Sequence, residues 1–164
     1  MTKLSVRRAG LPDVPMVTQI RNDAHAIKVA HGDYAWGREG DGFSERWVRN
    51  NVSEKEAYVV ELDGTPVGAF SFGLDDEKHW GPQEPIAGYA HGLCVRKGFQ
   101  GRGLGSFMLD WCANKVSGLN RRFVRLDCDI QNSKLCAYYE SLGFVRVGLK
   151  PDGHVWSLYE KSTD

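Results

Sequence analysis

No charge of one sign predominates in this sequence: 21 basic residues balance 21 acidic ones. A nucleic-acid-binding chain ordinarily gathers a basic excess on one face. The two small clusters here, Arg7-Arg8 and Arg121-Arg122, read as solvated strand flanks. Nucleic acid is therefore not an expected partner. No stretch reaches the roughly 18 apolar residues of a transmembrane helix, so no membrane partner is expected. The first eight residues lack the apolar segment of a secretory signal, and a cytoplasmic location is expected. Cys94, Cys112, Cys128 and Cys136 form no C-x-x-C pair, and the histidines form no H-x-x-x-H pair. Without those spacings no metal is expected, and buried, reduced thiols are the simpler reading. Cys94 is the best placed of the four for a nucleophile, but no base stands beside it in sequence. Repeats and low-complexity tracts are missing too.

What remains is a chain of 164 residues, 41% hydrophobic and 26% charged, which fits one globular domain over 1–164. A short strand is expected over 4–9. Asp13 looks like an N-cap, with Pro15 in the first turn and Val14, Val17, Ile20, Ala24 and Ile27 at helical spacing, giving a helix over 13–27. Ser44 can cap a second helix through Trp47 and Val48. Strands over 56–62 and 66–72 flank the hairpin signal Asp63-Gly64. A polar loop over 75–82 leads to a strand over 86–95, where Tyr89, His91, Leu93 and Val95 alternate onto one face. Leu104, Phe107, Met108, Trp111, Cys112 and Val116 form one apolar helical face that Gly118 closes. A strand over 123–128, a helix from Asn132 or Ser133 through Leu142, and a hairpin around Pro151-Asp152-Gly153 complete the chain. The order predicts an α/β fold: one mixed sheet with helices on both faces.

The most informative segment is Gln100-Gly101-Arg102-Gly103-Leu104-Gly105, between a strand and a helix. A helix start offers unpaired N–H groups and a positive dipole end. Glycines let those groups converge on an anion without a Cβ in the way. A phosphate or pyrophosphate is the expected guest. A Walker A loop needs a lysine and a hydroxyl residue after its last glycine, and Ser106-Phe107 stands there instead. A dinucleotide fingerprint has Gly101, Gly103 and a tempting Asp127, but Ser106 takes its third glycine place. The turn also begins five residues past the strand rather than at once.

Q-x-x-G-x-G after a strand ending in Leu-x-Val resembles the pyrophosphate loop of the GCN5-related N-acetyltransferases. Asn132 to Phe144, with its Tyr-Glu-x-x-Gly-Phe, resembles that family's later motif, in the family's order and separation. The opening Val6-Arg7-Arg8-Ala9 before Asp13 is also similar. The resemblance covers nearly the whole chain and is specific from Leu93 to Phe144. It implies the acyl-CoA N-acyltransferase fold, a mostly antiparallel sheet splayed between its fourth and fifth strands. It also implies an acyl-CoA-binding core over 86–144 and a first half that shapes the acceptor site.

The resemblance implies acetyl-CoA as cosubstrate. Its pantetheine arm would pair with the backbone at Leu93, Cys94 and Val95 and with Asn132. Its pyrophosphate would rest on Gln100, Gly101, Arg102, Gly103, Leu104, Gly105 and Ser106. Tyr139 matches the family position beside the thioester sulfur, where a phenol can protonate the departing thiolate. An amine acceptor of pKa roughly 10 must shed a proton before attack. The family often places a carboxylate for this on the strand before the glycine turn. His91 stands there instead and is the expected base, with Glu84 or Asp76 as fallbacks. Tyr34, Trp36, Trp47 and Trp80, with Asp33, Asp41, Asp75, Asp76 and Glu84, would suit a cationic small-molecule or peptide amine. Trp156 and Tyr159 on the closing hairpin are expected to pair across a homodimer. A non-catalytic acyl-CoA-binding sensor would need the same glycine turn and is the alternative.

Overall fold

The structure is a computed structural model that describes residues 2–164. Seven strands form one sheet: β1 (Leu4–Arg8), β2 (Glu56–Leu62), β3 (Thr65–Gly73), β4 (Ala87–Val95), β5 (Phe123–Asp129), β6 (Val145–Asp152) and β7 (His154–Ser162), in spatial order β1-β2-β3-β4-β5-β7-β6. Every neighbouring pair is antiparallel except β4 and β5. Residues 63 and 64 join β2 to β3 with φ of 51° and 83°, the two left-handed positions that make a tight hairpin.

Helices α1 (Val14–Ala30) and α2 (Glu45–Glu54) cover one face, and α4 (Leu104–Gly118) and α5 (Ser133–Ser141) the other. The α1 helix runs three residues past the expected Ile27. Before it, Asp13 accepts from the Gly10 N–H at 2.8 Å and pairs with Arg7 at 2.7 Å. Ser44 caps α2 through the Trp47 N–H at 3.1 Å. The expected polar loop over 75–82 contains a helical turn, α3 (Glu77–Trp80), because the Asp76 carboxylate accepts from the His79 N–H. On the α1 face Ile20, Val48, Val59 and Cys94 are sealed from water; on the α4 face Phe70, Met108, Val116 and Leu126 are.

Two irregularities open the sheet. The strands β4 and β5 pair only at Ala87–Phe123, Gly88–Val124 and Tyr89–Arg125, then diverge. Opposite β3, Cys94 faces Ala69 while His91 faces Ser71, so β4 carries one extra residue: a β-bulge. It is centred on Gly92, whose φ of +58° favours glycine, and a Cβ there would lie 2.6 Å from Arg21 Nη1. The bulge corrects one expectation. Tyr89, His91, Leu93 and Val95 do not share a face. His91 and Cys94 turn toward α1, while Leu93 and Val95 pack with the α4-side core.

The closing hairpin brings a second correction. Trp156 and Tyr159 are buried within the chain and offer no dimer surface; its exposed apolar residues are Val145, Val147, Leu149 and Val155. All four cysteines are buried and free. No helix among the described residues is long and apolar enough to cross a membrane.

α4 lies so close to β4 that a Cβ on Gly88 would come within 2.5 Å of both Phe72 and Val116, whereas one on Gly118 would meet nothing within 4 Å. Gly88→Val should therefore cost about 2–3 kcal/mol in denaturant unfolding by overpacking. Gly118→Ala should gain about 0.5–1 kcal/mol through helix propensity.

Candidate active site

Where β4 and β5 part, a cleft of about 1210 Å³ runs through the sheet. On its α4 side it is lined by Leu93, Val95, Leu126, Leu135 and Tyr139, and on its α1 side by Arg21, His91, Asp76, His79 and Asp127. Beyond Tyr89, β4 has no β5 partner for its backbone, so this edge is free to pair with an extended guest. Of the residues the sequence singled out, Leu93, Val95, Gln100, Asn132, Tyr139 and His91 line the cleft. The Cys94 side chain lies beneath its floor with no exposure, and burial pushes its thiol up. That removes it as a nucleophile.

Gln100 leads straight from the cleft to the glycine turn. Gly101 and Gly103 take φ of +76° and +72°, and a Cβ on either would meet nothing within 4 Å. Their conformation, not crowding, selects glycine here, and the turn stays open to solvent. Leu104, Gly105 and Ser106 begin α4 with N–H groups that have no partner inside the helix. Tyr138 crosses this end: its hydroxyl would stand 2.5 Å from a Cβ on Gly105. Burial pushes that phenol up, partly offset by a hydrogen bond from the Ser106 N–H. Gln100 accepts from the Gly98 N–H at 3.0 Å, and the Arg102 guanidinium lies 5.3 Å from the Phe99 ring centre. An elongated chain with hydrogen-bonding groups and an anionic tail fits this shape: a slot with unpaired strand edge, then a cradle of helix N–H groups.

Asn132 caps α5, accepting from the Leu135 N–H at 3.1 Å. Its amide nitrogen donates to Asp33 at 2.7 Å, so both ends of the side chain are engaged. Asp33 is buried and also holds Lys28 at 3.3 Å and the Ala35 N–H at 3.0 Å. Burial alone would favour the neutral acid, but Lys28, Asn132 and that N–H keep the carboxyl below its usual range. The contact ties the loop after α1 to α5 across the mouth of the cleft.

Tyr139 is 6% exposed, with the Phe144 and Tyr159 rings 6.0 and 6.1 Å away. Burial, reinforced by Cys128 and Asp127, drives its phenol well above the ordinary value, so it carries its proton throughout the physiological range. On the other side of the gap stands a chain of titratable groups. His91 Nδ1 lies 3.8 Å from Asp76, Asp76 lies 3.1 Å from His79 Nδ1, and His79 Nε2 lies 3.6 Å from Asp127. Burial holds His91 below the ordinary imidazole value against the pull of Asp76. Burial opposes protonation of His79 as well, but its hydrogen bond to Asp76 and the charge of Asp127 outweigh it and raise that imidazole. Burial pushes Asp127 up to about 6, with His79 opposing. Asp76, His79 and Asp127 bring ligating atoms within 4.8 Å of one another, a spacing that could gather a cation. The His79 ring bridging the two carboxylates favours a shared proton instead.

Asp76, named earlier as a fallback base, belongs to this chain; Glu84 is exposed and lies outside the cleft. His79 and Asp127 were not anticipated. Asp127 had a signal: Val124, Leu126 and Cys128 face the core, so Arg125, Asp127 and Asp129 must face the other side. The acceptor-side aromatics are already occupied by the chain's own cations. Trp36 and Trp47 flank Arg21, Trp80 lies against Arg125, and Tyr34 lies under Arg38.

Solved structures share this splayed architecture. A GNAT-family acetyltransferase from Listeria monocytogenes 4b F2365 superposes with a TM-score of 0.77 at 24% identity, over 97% of this chain and 94% of that one. The structure of yncA from Salmonella typhimurium with its cofactor acetyl-CoA gives 0.67 at 18% identity, over 98% and 94%. The fold is thus that of the GNAT acetyltransferases. The sequence pattern of the Acetyltransferase (GNAT) family matches residues 16–144, and the chain belongs to that family. The uncharacterized N-acetyltransferase YesJ of Bacillus subtilis (strain 168) is 32% identical over 89 residues. That match spans 52% of this chain and about half, 47%, of YesJ.

Asp127 has a stability consequence. Its folded pKa of about 6 lies above the roughly 3.9 of an unfolded aspartate. Its stabilising contribution is therefore present below about pH 4 and lost as the pH rises through about 6. Asp127→Asn should raise the melting temperature by about 2–4 °C at pH 8 and change it little at pH 4, as followed by circular dichroism.

Proposed function

We propose that the chain is an N-acetyltransferase that passes the acetyl group of acetyl-CoA directly to an amine acceptor in a ternary complex. The observation that carries this reading is the placement of a buried, protonated phenol and a neutral imidazole on opposite faces of one gap in the sheet, next to an open glycine turn. Residues 86–144 form the acyl-CoA core, and the first half of the chain shapes the acceptor pocket.

In this reading the free β4 edge at Leu93, Cys94 and Val95 pairs with the pantetheine arm. The pyrophosphate rests on the N–H groups of Gly101 to Gly105, flanked by Gln100, Arg102 and Ser106. Asn132 serves chiefly by capping α5 and holding Asp33 at the cleft wall beside the arm. The acceptor amine enters from the α1 face, where Asp76 and Asp127 favour its protonated form. His91 takes the proton, and Asp76 orients its ring. The amine nitrogen then attacks the thioester carbonyl carbon. A backbone N–H near Cys94, turned by the bulge, meets the charge that develops on oxygen. As the carbon–sulfur bond breaks, its electron pair leaves with sulfur, Tyr139 supplies the proton that makes the free thiol, and the second proton that the nitrogen loses as the amide forms restores the phenol. A non-catalytic acyl-CoA sensor would use the same slot but would not need Tyr139 and His91 on opposite faces.

The test is calorimetric titration with acetyl-CoA, beside a free-thiol assay over a panel of amines. Wild type should bind acetyl-CoA at micromolar concentration, and Gly103→Glu should abolish binding through backbone strain and charge repulsion. Tyr139→Phe and His91→Gln should each cut turnover about 100-fold or more and leave acetyl-CoA affinity unchanged. Full turnover in Tyr139→Phe would remove that residue from the mechanism. Binding without turnover on any amine would favour the sensor.

A further inference from the structure

The chain buries two arginines, and it treats them differently. Arg125, 6% exposed, donates to Glu160 at 2.8 Å and to the Tyr89 hydroxyl at 2.9 Å. Arg21, 7% exposed, has no carboxylate within 4 Å among the described residues, and its Nε is fully buried without a hydrogen-bond partner. Three rings surround its guanidinium instead: Phe43, Trp47 and Trp36, with centres at 4.6, 4.7 and 5.1 Å. Contact with ring faces offsets part of the cost of burying a cation but satisfies none of its N–H donors. A buried guanidinium without a counterion is a rare arrangement in a folded chain, and this one lines the cleft.

Its position is informative. Arg21 reaches across from α1 to the β4 bulge, where its Nη1 would stand 2.6 Å from a Cβ on Gly92. His91 immediately precedes that glycine and faces the same side. The acidic chain Asp76–His79–Asp127 continues from His91. The acceptor face therefore carries a buried cation without a counterion beside a group of carboxylates, while its unpaired lysines, Lys55, Lys78 and Lys134, are exposed.

We propose that Arg21 is the receptor for a carboxylate on the acceptor, so that the substrate is an amine that also bears a carboxylate group, an amino acid in the broad sense. The proposal rests on the acetyltransferase reading above. Its amine lies toward His91 and the acidic groups, and its carboxylate takes the forked N–H donors of Arg21. A single charge suits the site better than a phosphate dianion. The nearest lysine on the same helix, Lys28, is already paired with Asp33 at 3.3 Å, and the carboxylates close by would repel a second negative charge. The rings of Trp36, Phe43 and Trp47 hold the guanidinium plane in place, which lowers the ordering cost on binding.

The experiment compares amino acids with their carboxamides, among them methionine, glutamate, 4-aminobutyrate and 6-aminohexanoate. Each is titrated into the CoA-saturated protein by tryptophan fluorescence and assayed for acetyl-CoA-dependent thiol release. In wild type at least one amino acid should bind and react about 10- to 100-fold better than its amide, the loss expected for a missing charged hydrogen-bond pair. Arg21→Met should remove that preference through KM, with acetyl-CoA affinity unchanged, and Arg21→Lys should restore part of it. The wild-type comparison stands even if a variant fails to fold. Amides that bind and react as well as the acids, or no carboxylate-dependent binding at all, would overturn the role of Arg21. Carboxylate-dependent binding without acetyl transfer would support Arg21 and contradict the enzyme reading, and absence of acetyl-CoA binding would contradict that reading alone.

Discussion

The separation of β4 from β5 after Tyr89 is the constraint on which the rest of this structure depends. A parallel pair that stayed in register would close the sheet and satisfy every backbone group along both strands. Here the pairing stops after three residues, leaving a strand edge inside the molecule rather than at its rim. Such an edge is costly unless something pairs with it, and the cleft along it has the dimensions of a ligand site. The bulge at Gly92 belongs to the same device. It bends β4 away, and it turns His91 toward one face and Leu93 and Val95 toward the other. One strand thus serves an apolar slot and a polar pocket.

Polar groups around the gap divide by face. On the α4 side Leu93, Val95, Leu126 and Leu135 make an apolar wall around the Tyr139 phenol, which burial keeps protonated. On the α1 side the charges are dense, and they couple to one another: Asp76 and Asp127 share His79, and Asp33 holds Lys28 and Asn132. Arg21, buried and lining the same cleft, has no carboxylate partner among the described residues. The asymmetry sets a dry, protonated phenol on one side of the gap against a dense group of titratable side chains on the other.

Much of this was legible in the sequence because it is local. The glycine turn, the Asn132 cap, the Asp63-Gly64 hairpin and the apolar face of α4 are each written within a dozen residues, and the order of strands and helices follows from them. The parts that could not be read depend on partners far away in the chain. The bulge reverses the alternation of β4, and period-two counting therefore put Leu93 and Val95 on the wrong face. The turn Glu77–Trp80 forms because Asp76 caps it, and it carries His79 to Asp127, nearly fifty residues on. Trp36 and Trp47 looked like a receptor for a cationic substrate; only the fold shows that Arg21 already occupies them. Trp156 and Tyr159 looked like exposed contacts, but pairing of β7 with β5 turns them inward.

The most direct test of the central claim is amide hydrogen exchange of the protein with and without acetyl-CoA. The account predicts that protection rises at two places together: along the free edge of β4 at residues 93–95, and across the turn and first residues of α4 at 101–106. It also predicts that β1, β2 and β6 are unchanged. Protection confined to the glycine turn, or gained elsewhere while the β4 edge exchanges as before, would mean that the gap in the sheet is not where the acyl donor lies.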